Sequence, residues 1–277
     1  MELLDLGREA LPRVVLKQAI TSRDDPYDLA IDRVRRALLE LLARSEFSLS
    51  TRLSVLGCLA DRLSPFFHRG GTCDPERLEQ ALEAVSRPEV MTALDGELAS
   101  IALPVELSSA IVLHILGARL KTQAGSFGRL VDAIARSFAS SGENTVDGGR
   151  LFAHYIVRRD AWERAHAVRI DRYFTNYAMG WLFAEWYTSS DDLVSHLTKL
   201  FVRVATLRFL FFTHPALAAL PGTDVETDAS TLDGVAVEVV YKTTRHIDHN
   251  AGFVAGLETL VKERAPTFAH VMFLAKM

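Results

Sequence analysis

The stretch from Leu193 to Phe212, LVSHLTKLFVRVATLRFLFF, is the most apolar window of the chain. A run of that length must be buried, either in lipid or inside a protein. His196, Lys199, Arg203 and Arg208 interrupt it. So many polar and charged groups are costly in a spanning helix, so the window predicts a buried core helix. Ser189-Ser-Asp-Asp192 offers its cap and His214-Pro215 its stop, which sets the expected helix at Leu193 to Thr213. A chain of 277 residues, 49% apolar and 24% charged, has enough other apolar surface to enclose it.

A second stretch, Val168 to Tyr187, reads VRIDRYFTNYAMGWLFAEWY. Ile170, Tyr173 or Phe174, Tyr177, Trp181 and Phe183 or Ala184 recur at helical spacing. This helix is apolar on more than one face, so a central position is expected. Three polar groups sit among its aromatics: Asp171 beside Tyr173, Asn176 beside Tyr177, and Glu185 between Trp181 and Trp186. Burying such groups unpaired costs roughly 1–3 kcal/mol each, so they form either a satisfied structural network or the lining of a pocket.

The rest of the chain reads as further helices. Ser22-Arg-Asp-Asp-Pro26 starts one that runs to about Arg44, with Leu29, Val34, Leu38, Leu41 and Leu42 as its buried stripe. Asp32, Arg35, Arg36 and Glu40 are its expected outer face. Another runs from Phe47-Ser-Leu-Ser50 through Leu63, with Gly57 and Cys58 inside it. Cys58 is read as a small buried hydrophobe. The loop His68-Arg-Gly-Gly-Thr-Cys73 has two glycines but lacks the spacing and lysine of a phosphate-binding loop. Asp74-Pro75-Glu76 caps a helix that buries Leu78, Leu82 and Val85.

Helices are also expected after Pro88, after Pro104 and over Gly125 to Phe138. His114, inside an apolar run, is read as a core residue. Ser140 to Gly149 is the clearest loop. Beyond it, Arg158, Arg159, Arg164 and Arg169 accompany Phe152, Tyr155 and Trp162, either as an anion-binding mixture or as an outer face with ion pairs. Ser230-Thr-Leu-Asp233 resembles a capping box. Val235 to Thr244 is rich in β-branched residues, yet its helical flanks favour helix. In Arg245-His-Ile-Asp-His-Asn250, His246 and His249 share a helical face, which suits a metal ion or an ordinary polar helix end. Gly252 to Glu263 and Pro266 to Lys276 close the chain as two short helices or one broken helix.

The expected fold is therefore all-α: a compact array of roughly ten helices with no secure strand. It forms a single helical domain over 1–277, divisible into a lobe over 1–140 and an aromatic-rich lobe over 150–277. A net charge of −4 argues against nucleic acid or an anionic membrane as partner. Cys58 and Cys73 lack CxxC spacing, and such sparse cysteine fits a reducing cytoplasm. The first residues, MELLDLGREALPRVVLKQ, have no uninterrupted apolar core of the signal-peptide kind. A strand followed by a glycine-rich loop is missing, which disfavours the common α/β methyltransferase architecture.

Three stretches together resemble the flagellin lysine-N-methylase family. Thr51-Arg-Leu-Ser-Val-Leu-Gly-Cys-Leu-Ala-Asp-Arg-Leu63 is similar to that family's Arg-Leu…Leu-Gly…Leu segment. Ile170-Asp-Arg-Tyr-Phe-Thr-Asn-Tyr177 resembles its Leu-Glu-Asn-Tyr-Leu-x-Asn-Tyr segment, with Arg172 in place of the family's Asn. Arg245-His-Ile-Asp-His-Asn250 is similar to its Arg-x-x-x-His-Asn close. The resemblance implies a cytoplasmic enzyme that methylates lysine side chains of a protein, flagellin, with S-adenosylmethionine as methyl donor. Its matching positions, Asp171, Tyr173, Asn176, Arg245, His249 and Asn250, are the candidate catalytic residues. The family carries a cysteine-rich N-terminal region suited to an iron–sulfur cluster. Cys58 and Cys73 cannot support such a cluster alone, so a cysteine-rich partner region is expected. The chain is then read as the C-terminal part of a longer protein or as a short relative. Methylation needs a neutral amine, and Asp171, Tyr173 or Tyr177 could take its proton. Trp181, Trp186 and Tyr187 could flank the lysine stem. The competing expectation is a non-catalytic helical scaffold or interaction module.

Overall fold

A computed structural model describes residues 25–100, 105–121, 125–138, 147–222, 225–248, 251–264 and 272–277. Among the described residues the fold is a helical array without a strand. Its α-helices are α1 Pro26–Leu29, α2 Ile31–Leu42, α3 Leu49–Leu63, α4 Pro75–Ser86, α5 Pro88–Ser100, α6 Val105–Lys121, α7 Ser126–Phe138, α8 Gly148–Ala184, α9 Leu193–Phe212, α10 Val225–Asp248 and α11 Ala251–Arg264. Short 3₁₀ turns cover Tyr187–Ser189, Pro215–Leu217 and Phe273–Lys276.

The caps read from the sequence work as oxygen acceptors for the unpaired first-turn N–H groups. Asp25 accepts from Tyr27 N at 3.0 Å. Ser48 Oγ accepts from Thr51 N at 3.2 Å, and Asp74 accepts from Glu76 N at 3.0 Å. The first helix departs from expectation. It breaks at Ala30, so α2 starts on a new phase. Tyr27 and Ile31 are buried, and Leu29 is 68% exposed instead of joining the stripe. Arg35 is buried instead of facing outward. Its guanidinium meets Asp32 Oδ1 at 3.1 Å and lies 4.5 Å from the Trp186 ring centre. The aromatic face supplied by a distant segment outweighs the cost of burying the charge.

Other readings also meet the structure. Val235 to Thr244 is helical, within α10. Ser230 to Asp233 does not cap a helix: α10 already begins at Val225, and Thr231 Oγ1 donates back to Thr227 O at 3.0 Å. The α8 backbone leaves helical values at His166 (φ −135°, ψ 35°), where Trp162 packs 5.8 Å away, ring centre to ring centre. Arg169 pairs with Asp233 on the exposed face, whereas the Arg159 side chain, 15% exposed, pairs with Asp160 and Glu163, and Arg158 lies 4.4 Å from the Phe138 ring centre. Of the loop read over Ser140 to Gly149, residues 140–146 lie outside the described residues, and Gly148 and Gly149 already belong to α8.

The chain divides into two compact units that interleave in sequence. One takes the described residues up to Ala102, Arg172–Phe201 and those within Thr267–Ala275. In it α3 packs on α2, α4 and α5, around Leu38, Leu53, Leu56, Leu59, Phe67 and Phe174. The other takes Leu103–Asp171, Val202–Pro266 and Lys276–Met277. In it α6 packs on α7 and α11, and α10 on α7 and α11. Its core includes Val112, Ile115, Val131, Ile134, Tyr155 and Phe209. Helices α8 and α9 each contribute residues to both units. The α9 window is buried along its length, as expected. Among the described residues no helix is long and apolar enough to cross a membrane.

Two histidines of the second unit give this fold a pH dependence. Burial lowers the pKa of His246, which stacks on Phe127 with ring centres 4.1 Å apart. Burial also lowers that of His214, against the weaker raising effect of Glu238. A histidine depressed in the folded state takes a proton more readily when unfolded. Its contribution is whole above the ordinary value of about 6.5 and is lost as pH falls from there toward the folded value. The urea midpoint should therefore drop from about pH 8 to about pH 5.5, and His246→Phe should remove part of that drop. A midpoint that rises on acidification would contradict this.

Candidate functional site

Pro65 stops α3 and sends the chain into the loop 64–73. Gly70 there has φ +72°, a left-handed conformation that glycine takes without strain. The turn carries the loop back toward the segment before α9. Arg69 N donates to Asp191 O at 2.8 Å, and His68 and Asp192 form an isolated antiparallel bridge. These two segments, distant in sequence, become the walls of one open cavity of about 560 Å³. Its lining is Asp61, Ser64, His68, Arg69, Asp191, Asp192, Val194 and Ser195. All of them belong to the first unit.

An aromatic cluster ties the segment after α8 to α1. Tyr187 OH donates to Tyr27 O at 2.5 Å, and Tyr27 OH donates to Tyr187 O at 3.4 Å. Phe67 packs on both rings. Burial pushes both phenols far above their ordinary value, so neither takes a proton in this fold. Tyr187 is thus a structural residue and not a flank for lysine. Trp186 is likewise engaged under Arg35, and Trp181 packs on His196 with ring centres 4.7 Å apart.

Arg69 ties its loop to α1 and to the 3₁₀ turn at Tyr187–Ser189. Its Nη2 donates to Thr188 O at 2.7 Å and to Asp28 Oδ1 at 3.4 Å, and Nη1 lies 3.9 Å from Asp25 Oδ2. Asp25 and Asp28 therefore balance its charge from outside the cavity lining. Asp192 is spent as a cap, accepting from Ser195 N at 2.6 Å and from Ser195 Oγ at 2.9 Å. Ser64 Oγ donates to Asp61 O at 2.8 Å. Both serine hydroxyls are thus committed, and neither is activated by the imidazole as a nucleophile would be. Asp61 and Asp191 are exposed, and among the described residues neither carboxylate has an ion-pair partner.

His68 Nδ1 lies 3.1 Å from Arg69 O. A carbonyl only accepts, so this contact needs the proton on Nδ1 and leaves the lone pair on Nε2. A Cβ at Gly71 would stand 2.9 Å from both His68 Cε1 and the Phe66 carbonyl oxygen, so this tight turn of the loop takes glycine. Among the described residues no group of three or more His, Cys, Asp or Glu side chains converges to hold a metal ion. Cys58 is half-buried and Cys73 buried, and burial raises the pKa of both thiols.

None of the motif positions lines this cavity. Tyr173 is buried and Asn176 half-buried, both in the first unit. Asp171, half-buried, and Arg245, exposed, belong to the second. Arg245 Nη1 donates to Tyr241 OH at 3.1 Å. His249 and Asn250 lie outside the described residues. Sequence reading passed over His68, Asp61 and Asp191, taking them for loop, helix surface and cap. The available signal was the pairing of a His-Arg-Gly-Gly loop with an Asp-Asp cap, which gains meaning only once the two segments meet.

A model of the family described as FliB lysine N-methylase C-terminal domain matches residues 35–274. No curated protein and no solved structure matches the chain.

Proposed function

The chain belongs to the FliB lysine N-methylase family through its C-terminal domain, and from that premise we propose that it serves methyl transfer to lysine side chains of a protein. The expected substrate is flagellin, the expected methyl donor S-adenosylmethionine, and the expected compartment the cytoplasm. The observation that carries this reading is the family match, which spans residues 35–274. The cavity adds support of a physical kind: its unpaired carboxylates attract a cationic side chain, and its openness suits a group presented by a macromolecule. Asp171, Tyr173, Asn176, Arg245, His249 and Asn250 are the motif positions this reading carries as catalytic candidates.

S-adenosylmethionine would supply the methyl group as a sulfonium. The cavity does not fit that cofactor, because Val194 is the one apolar side chain in its lining and no flat apolar wall faces an adenine. Cys58 and Cys73 are two thiols, fewer than the four that an iron–sulfur cluster takes. A cysteine-rich region supplied by a partner is part of the proposal. The test is to titrate the purified chain with S-adenosylmethionine by calorimetry. It is then incubated with flagellin and the cofactor, alone and with a cysteine-rich family region added. Intact-mass spectra should show whole methyl increments on lysine. Neither cofactor binding nor methylated flagellin under either condition would end the enzymatic reading.

A second reading, a non-catalytic interaction module, is favoured by Val237 and Tyr241. Both are exposed and stand four residues apart on α10. Flagellin retained by the chain without methyl transfer would support it.

A further inference from the structure

We propose that the solvent-facing side of α10 is an interface through which two copies of this chain pair, their α10 helices running antiparallel about a two-fold axis between Gly234 and Val237. This goes beyond the methyl-transfer reading and does not depend on it.

The helix divides cleanly into two sides. Leu232, Val235, Val239 and Thr243 are buried against its own unit. Glu226, Ser230, Gly234, Val237, Tyr241 and Arg245 are all exposed. At the turn of an α-helix these six fall within an arc of about 100°, one continuous face. It consists of two rows at i, i+4 spacing. Glu226, Ser230 and Gly234 form a low row that ends on an acid. Val237, Tyr241 and Arg245 form a high row that ends on a base. A Cβ at Gly234 would meet no atom within 4 Å, so the low row is open to a visitor. In the high row Arg245 Nη1 donates to Tyr241 OH at 3.1 Å, which holds the ring and the guanidinium together.

The order of the rows selects the occupant. The spacings along the face, four, four, three, four and four residues, read the same in both directions. A second α10 laid over the first in reverse therefore sets Val237 on Gly234, Tyr241 on Ser230 and Arg245 against Glu226, each of them twice. Large meets small and base meets acid at every step, which is the self-complementarity that a two-fold interface requires. Small residues opposite the large ones let the helix axes approach to the usual distance of about 8–10 Å. The bordering acids do not oppose the pairing, because Asp233 is held by Arg169 and Glu238 by Lys242 within the same copy. A parallel pairing would instead set Glu226 beside Glu226 and Arg245 beside Arg245, which like charges disfavour. One helix pair is a small interface beside the standard size of about 1,600 Å², so a micromolar dimer is expected.

The test is sedimentation velocity of the full chain over a rising concentration series. The mass should pass from one copy to two. Gly234→Leu fills the low row and should weaken pairing about a hundred-fold. Its urea midpoint should stay at or above that of the parent, because the position is open and leucine favours helix over glycine. Glu226→Arg and Arg245→Glu should each weaken pairing about ten-fold. The chain carrying both exchanges should recover the parent's affinity, since the acid and the base then meet again with their places reversed. Mass is the readout, so the standing of Arg245 as a motif position does not enter. A chain that stays monomeric at every concentration would overturn the proposal, as would a dimer that Gly234→Leu leaves intact. A double exchange that pairs no better than its single variants would overturn the antiparallel pairing. A monomeric chain that retains flagellin, and loses it on Tyr241→Ser, would assign the face to another protein and overturn the dimer as well.

Discussion

Phe209→Ala is expected to cost about 3–5 kcal/mol, the range for emptying a phenylalanine site in a well-packed core. Phe209 is wholly buried on α9, within a run of Leu207, Leu210, Phe211 and Phe212 that is also closed to solvent. Its ring packs 5.7 Å from that of Tyr155, centre to centre. The neighbouring side chains are themselves closely packed, so the cavity term adds to the lost transfer energy. The urea midpoint should fall with its slope unchanged. A loss below about 1 kcal/mol would show that the α9 window is not the core element its burial indicates.

Arg52→Ala should cost about 3 kcal/mol or more, since hydrogen bonds to a charged group are each worth about 1.5–3 kcal/mol. Arg52 has no exposed surface. Its Nη1 donates to Leu42 O at 2.6 Å and its Nε to Ser48 O at 3.4 Å. One side chain thus satisfies a carbonyl from the last turn of α2 and one from the cap of α3. The Leu42 carbonyl, in the last turn of α2, has no helical N–H to meet, so truncation leaves it buried and unmet, whereas Ser48 O still accepts from Arg52 N at 3.0 Å. Arg52→Met keeps most of the stem volume and should still lose most of that stability. If Arg52→Met proves as stable as the parent, the hydrogen bonds contribute little and packing alone explains the burial.

Local chemistry explains which features were legible in the sequence. Asp25, Ser48, Asp74 and Asp192 were readable as caps because the acceptor and its N–H groups lie within three residues of one another. The leucine stripe of α4 was readable for the same reason: its period is set by one helix. Leu29 and Arg35 were misread where a single residue, Ala30, resets the phase, and where the aromatic partner of Arg35 comes from Trp186. No periodicity carries that information. The cavity was hidden in the same way. Asp61 belongs to a helix, His68 to a loop and Asp191 to a cap, and each has an ordinary local explanation. Their shared surface exists because Arg69 N meets Asp191 O across more than a hundred residues of chain. The family motifs were legible as words, yet Arg245 and Tyr173 stand on different units, and word order does not reveal that.

The passage of α8 and α9 through both units bears on how such a protein can be inherited. Seen from the first unit, Leu103–Asp171 is an insertion; seen from the second, Arg172–Phe201 is. Of the points where the chain passes from one unit to the other, those after Asp171 and after Phe201 fall inside α8 and α9. A recombination event that joins sequences at loops could not deliver either unit as a cassette. It would bring half of a helix without the partner that packs the other half. An exchange between relatives that keeps α8 and α9 whole therefore carries residues of both units.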